Sequence, residues 1–248
     1  MAKIPKRPEE IFQEFTQDYQ AIFRDDLKSI ILYGSGARGE YIPKKSDINF
    51  LIVLTEAAMD RLRETFPLIR KWRKSRVNIP LFLTEEYIAS SLDSFPVEFL
   101  NLREGHVPVF GRDVLEELSF DKENIRLQCE RELKGKLLLL REAYLDSEGK
   151  ASGLGQVSSA SLIAFLSLFR ALLFLRDREI PLHNDELIST TAKEVGFDEK
   201  PFMEVLRIRE GKVKARRDEM EGILERYLGA IRELWKHVDQ LEIKEGSR

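Results

Sequence analysis

The chain of 248 residues has one cysteine, Cys129, and three histidines. A single thiol excludes an internal disulfide framework and a cysteine-built zinc site, and a reducing cytoplasm is the expected location. His106, His183 and His237 are scattered, with no H-E-x-x-H pattern, so no zinc hydrolase is written here. Strong charge of one sign is also missing. The 40 basic and 43 acidic residues leave a formal net charge of −3, which gives no bulk attraction to nucleic acid or an anionic membrane. Neither is expected as a partner. Residues 1–10 show no apolar leader core. The one membrane-like stretch, Leu162 to Leu175, is short for a span and is interrupted by Arg170, so a buried bundle helix is expected.

The apolar pattern divides the chain in two. Pro8 to Asp26 places Ile11, Phe12, Phe15, Tyr19, Ile22 and Phe23 on one side of a helix, with Pro8 in its first turn. Leu27 to Tyr33 and Ile48 to Leu54 are short β-rich runs and read as strands. Ala57 to Ser75 reads as a charged helix. Ile79 to Leu83 reads as a third strand, placed at a sheet edge by Pro80. Thr84 can cap a helix to about Leu92, and Phe95 to Phe110 can supply a further strand. After Gly111 the pattern turns helical. Ile125 to Leu145 offers Leu127, Leu133, Leu137, Leu138 and Leu140 to a core. Ser147 to Ser159 reads as a Gly/Ser loop, and Ala160 to Leu175 as a central bundle helix. Asn184 or Asp185 caps a helix ended by Gly196, and 201–210 and 216–241 complete the set. The fold class is therefore α/β (α+β). An N-terminal domain over 1–115 holds a small mixed sheet flanked by helices, and an all-α bundle covers 121–248.

Chemistry concentrates at Gly34-Ser35-Gly36-Ala37-Arg38-Gly39, at the end of an apolar run, and at Ser46-Asp47-Ile48-Asn49, at the start of the next. The first string matches G-x-G-x-x-G, and Glu56 lies where a dinucleotide fold places its ribose acid. That fold needs a full crossover helix between parallel strands. Residues 40–46 hold Pro43 and two lysines and no helical stripe, so this reading is rejected. A Walker A loop is rejected too, because no Gly-Lys-Ser/Thr follows. There remains a strand, a Gly-Ser turn, a very short helix, and a strand whose alternation puts Asp47 and Asn49 on one face. Small residues let backbone N–H groups approach a phosphate.

These residues resemble the signature of the DNA polymerase β-type nucleotidyltransferase superfamily, whose small bacterial members include minimal nucleotidyltransferases and aminoglycoside adenylyltransferases. The resemblance spans about Ile30 to Leu54. It implies that Gly34 and Ser35, with Arg38 beside them, bind a nucleoside triphosphate as substrate. It implies that Asp47 takes the first of two metal-binding acid positions, for Mg²⁺ or Mn²⁺, and that Asn49 stands in the second. A third acid is expected on a neighbouring strand. Ile79-Pro80-Leu81-Phe82-Leu83 has none, and Phe82 is the candidate for that place. Asn49 offers a carbonyl oxygen without charge. A two-metal clamp is then not expected, while a single Mg²⁺ carried by the nucleotide onto Asp47 is.

Other groups have bland readings. Glu98 could supply the third acid, or be an edge-strand charge. Glu132 could be a general base, or the i,i+4 partner of Lys136. Arg207, Arg209, Lys212, Lys214, Arg216 and Arg217 could face phosphates in an interdomain cleft, or form a solvated junction. Arg178 to His183 resembles the R-x4-H of helical ribonuclease domains, but Pro181 puts it in a loop. Two functions follow from the signature. One is transfer of a nucleoside monophosphate from an NTP to a hydroxyl of a small molecule or protein, made weak by the incomplete metal ligands. The other is an inactive relative that binds a nucleotide, or a protein, as a regulator. The oligomeric state is open.

Overall fold

The computed structural model describes residues 4–148, 151–213 and 216–241. The chain forms two compact units, residues 1–93 with 99–119 and residues 94–98 with 120–248.

In the first unit a 3₁₀ turn, Pro8–Ile11, leads into α1, Phe12–Phe23. Strand β1, Leu27–Tyr33, ends in a 3₁₀ turn, Gly34–Gly36, and β2 is Asn49–Leu54. The expected single helix over 57–75 is three pieces: α2 (Glu56–Met59), a 3₁₀ turn (Leu62–Thr65) and α3 (Phe66–Arg73). Pro67 cannot donate to a preceding turn, so α3 must start afresh there. Then come β3 (Leu81–Thr84), α4 (Glu85–Ser90), α5 (Pro96–Arg103) and β4 (His106–Gly111). Thr84 Oγ1 caps α4 by accepting from Tyr87 N at 3.1 Å. The expectation of a strand from Phe95 is corrected to a helix followed by a strand. Pro96 suits a first helical turn, and the fully buried Leu100, with Phe99 at 4% exposure, belongs to α5.

The sheet order is β3-β2-β1-β4. β1 pairs antiparallel with β2 and β4, while β2 pairs parallel with β3, so the sheet is mixed. Antiparallel β1 and β2 are incompatible with a dinucleotide-binding βαβ unit. One face of the sheet (Ile30, Leu32, Phe50, Ile52 and Leu54) packs on Phe15, Tyr19 and Phe23 of α1 and on Trp72 of α3. Phe15 stacks on Phe50 with ring centroids 4.1 Å apart.

The second unit is helical: α6 (Lys122–Asp146), α7 (Ala151–Leu175), α8 (Asn184–Val195), α9 (Lys200–Arg209) and α10 (Arg217–Asp239). Asp121 caps α6 by accepting from the Glu123 and Asn124 amides. Gly196, at φ +91°, ends α8 in the left-handed conformation glycine adopts without cost. The loop expected over 147–159 is largely helix, residues 149 and 150 lying outside the described residues. Ser158 and Ser161 satisfy their hydroxyls on carbonyls within α7, at Leu154 and Ser158. Small side chains there let neighbouring helices approach. A Cβ on Gly155 would already meet Met220 at 3.9 Å. By length and composition alone Leu154–Leu175 could cross a membrane, a longer stretch than the 162–175 read as short for a span. Its Leu162, Phe165, Phe169 and Leu172 are nevertheless buried in the bundle, where rings from Phe165, Phe169, Phe197, Phe202 and Tyr227 interlock.

The run Leu137–Leu140 carries no face information in sequence. Structure resolves it: Leu133, Leu137 and Leu140 are buried, while Leu127 and Leu138 are not the core residues expected. Leu137→Ala should cost about 2–5 kcal/mol through a buried cavity. Leu138→Ala should change stability by no more than about 0.5 kcal/mol, because Leu137 is 5% and Leu138 63% exposed. Urea midpoints at constant m-value decide between them.

Candidate functional site

Strand β1 delivers the Gly-Ser turn. Gly34 has φ +78°, and a Cβ there would stand 3.3 Å from Asn49 Nδ2, so glycine meets both a conformational and a spatial demand. Gly34 N donates to Gly105 O at 3.3 Å, while the Ala37 and Arg38 amides fold back onto Gly34 O. Ser35 is half-buried, and its carbonyl accepts from Glu40 N at 2.9 Å. Arg38 is held by Glu40, Nε to Oε2 3.2 Å, and its stem lies against Gly105, where a Cβ would be 3.0 Å from Arg38 Cγ.

Asp47 and Asn49 flank Ile48, which forms a parallel bridge with Val77. The bridge brings two residues that sequence reasoning missed, Arg76 and Asn78, to the same place. Arg76 Nη2 lies 2.7 Å from Asp47 Oδ1. Asn78 Nδ2 donates to Asn49 Oδ1 at 2.7 Å. One cross-strand pair thus sits on each side of the bridge, and Asn49 adjoins the Gly34 turn. Asn49 also pairs with Tyr33, and Tyr33 with His106, so one lateral row crosses this end of the sheet.

Phe82 is not the third site position. It pairs with Ile52, on the sheet face that packs on α1, and its ring lies 6.1 Å from Tyr19 and 6.4 Å from Phe23. Asn78, in the segment before β3, is the residue that touches Asn49. Glu98 lies on α5 and accepts from Gln128 Nε2 at 2.6 Å, so its edge-strand reading is corrected as well. Glu132 pairs with Lys136 at 2.6 Å, as its i,i+4 spacing suggests. Of the basic cluster, Arg209 donates to Ser159 O, Lys212 pairs with Glu210, and Lys214 is outside the described residues. Arg178 pairs with Glu194, and His183 precedes α8.

His106, isolated in sequence, is not isolated in the fold. Its Nδ1 faces Arg103 O at 2.6 Å, and its Nε2 faces Asp113 Oδ2 at 2.8 Å. Because His106 follows Gly105, this pair buttresses the backbone that receives Gly34 N. Burial opposes the Asp113 charge. Hydrogen bonds from His106 and from the Leu115 and Glu116 amides outweigh it and hold the carboxyl below its ordinary pKa.

Residues 9–103 match the family model described as a nucleotidyltransferase domain. Over that span the chain is similar to this family's domain. A Methanocaldococcus jannaschii protein, provisionally named a protein adenylyltransferase, is 41% identical over 61 residues, or 25% of this chain. The match spans 59% of that relative's length. Among solved structures, spectinomycin adenyltransferase from Enterococcus faecialis, crystallised with ATP and spectinomycin, shares the fold at TM-score 0.53. The match covers 89% of this chain and 99% of that one at 13% identity.

Nucleotidyltransferases act on a nucleoside triphosphate, typically with a divalent metal. The residues present do not fit a metal pair. Mg²⁺ wants oxygen ligands, carboxylate above all. Here one carboxylate is bound by a guanidinium, and the amide oxygen of Asn49 is taken by Asn78. No group of three or more His, Cys, Asp or Glu able to hold a metal occurs among the described residues.

Asp113 titrates lower folded than unfolded, so it adds stability above its unfolded pKa of about 4. That stability is lost as pH falls through this value toward the lower folded one. Asp113→Asn should therefore cost about 1 kcal/mol at neutral pH. The difference from wild type should close in acid below pH of about 4, measured by urea titration across the range.

Proposed function

We propose that the nucleotidyltransferase domain binds a nucleoside triphosphate at Gly34, Ser35 and Arg38 and serves as a nucleotide-responsive regulator, not as a competent transferase. ATP is the nucleotide of choice, since the two relatives are named for adenylyl transfer. One observation carries the reading. The strand positions beside the turn hold Asp47, Asn49 and Asn78, and the only carboxylate among them is already paired with Arg76. The turn's permissive glycine and small residues suit phosphate approach. Phosphoryl-type transfer additionally needs negative ligands to position metal on the transferring group, and that half of the site is replaced by neutral amides.

Adenylyl transfer to a hydroxyl of a small molecule or protein is the second reading, favoured by the family match over 9–103. The two readings separate in one pair of measurements on the full chain. Calorimetry should show ATP binding that Gly34→Val removes, because the side chain would run into Asn49. Pyrophosphate release with Mg²⁺ or Mn²⁺, over a panel of aminoglycosides and protein acceptors, should stay at the level of an Asp47→Ala control. Steady release by wild type that Asp47→Ala abolishes would establish the transferase instead. Absence of ATP binding at millimolar nucleotide would remove both.

A further inference from the structure

We propose that the guanidinium of Arg76, and not a divalent cation, is the positive charge this site presents to a triphosphate, so that nucleotide binds here without metal. The inference rests on the nucleotide-binding reading of the Gly34 turn and specifies how that site works.

The surroundings of Arg76 are those of a bound cation. Its Nε donates to Ser46 O at 3.2 Å and its Nη2 to Lys45 O at 2.9 Å, and Nη2 forms an ion pair with Asp47 Oδ1 at 2.7 Å. Two carbonyls and a carboxylate thus converge on one guanidinium. The Asp47 charge is therefore already offset on one oxygen, Oδ1, by a guanidinium that two carbonyls hold in place.

The backbone of Arg76 is fixed as firmly. Its φ is +62°, a left-handed conformation that a residue with a Cβ adopts only at a cost. It is kept there by Ile48 N donating to Arg76 O at 2.9 Å and by Arg76 N donating to Arg73 O at 3.1 Å. The guanidinium therefore enters the Asp47 loop from a set direction. Its Nη1 makes no hydrogen bond among the described residues, and its side chain is 34% exposed. A planar fork with one free end can reach a phosphate while the other end stays seated.

The rest of the loop agrees in sign. Lys44 and Lys45 are exposed and form no ion pair among the described residues. With Asp47 neutralised, the segment joining the Gly34 turn to β2 presents net positive charge. A site built for metal has the opposite character when empty, an excess of carboxylate that the ion must offset.

The test is ATP calorimetry on the full chain, with excess EDTA and with excess Mg²⁺, at fixed ionic strength. Wild-type affinity in EDTA should lie within about threefold of that in Mg²⁺. Arg76→Gln should weaken binding in EDTA by about tenfold or more, as expected for loss of a charged hydrogen-bond donor. Asp47→Asn should leave affinity unchanged or raise it, since it frees Arg76, whereas a metal ligand lost at that position would lower it. Thermal melts of both variants check that they fold, and the wild-type EDTA comparison needs no variant. Binding that vanishes in EDTA, or that ignores Arg76→Gln, overturns the inference and leaves the nucleotide reading in place. No ATP binding in either buffer overturns both.

Discussion

Burial of strand β1 is the constraint on which the first unit depends. Ile30, Ile31 and Leu32 are wholly inaccessible, and the strand pairs on both sides, with β2 and with β4. A central strand with no free edge cannot shift register without moving its whole apolar set to the wrong face. The Gly34 turn is therefore placed by the strand before it, Asn49 by its pairing with Tyr33, and His106 by its pairing on the other side. The candidate site lies at the polar end of a strand whose interior, Ile30 to Leu32, is core.

What could be read from sequence follows from this locality. The Gly-Ser turn and the Asp47-Ile48-Asn49 step lie at the ends of single apolar runs, and strand alternation alone puts Asp47 and Asn49 together. The helices of the second half have local start and stop signals, such as Asp121 before α6 and Gly196 after α8. Arg76 and Asn78 have no such signal. Their place depends on which residue of one segment meets which residue of another. That register also slips by one residue on the β3 side, between Ile48 with Val77 and Leu51 with Leu81. Pro80, which cannot donate to a ladder, lies in the interval. One extra residue reverses which side chains share a face, and so Phe82 points at α1 while Asn78 reaches Asn49.

The other divergences have the same origin. Phe95 to Phe110 is apolar enough for a strand, yet only tertiary packing decides that its first part is helical. The Gly/Ser stretch before Ala160 has poor helix propensity. The stretch is nonetheless helical in α7, where Leu154 and Ser158 are buried, and propensity yields to burial. His106 and Asp113 are separated by most of a strand and a turn, so nothing in either one's neighbours announces the pair.

The quartet at the sheet end is consistent as a set. Two carboxylates at 49 and 78, within hydrogen-bond distance of each other and beside Asp47, would repel unless a cation lay among them or one took up a proton. With Asn at both places, one amide N–H₂ donates to the other's oxygen, and no counter-ion is required. Asp47 is then the one carboxylate of the set, facing Arg76 through Oδ1. An acid at 49 would still accept from Asn78 Nδ2, whereas an acid at 78 would remove that donor. The positions differ from a metal-binding arrangement together, not one at a time.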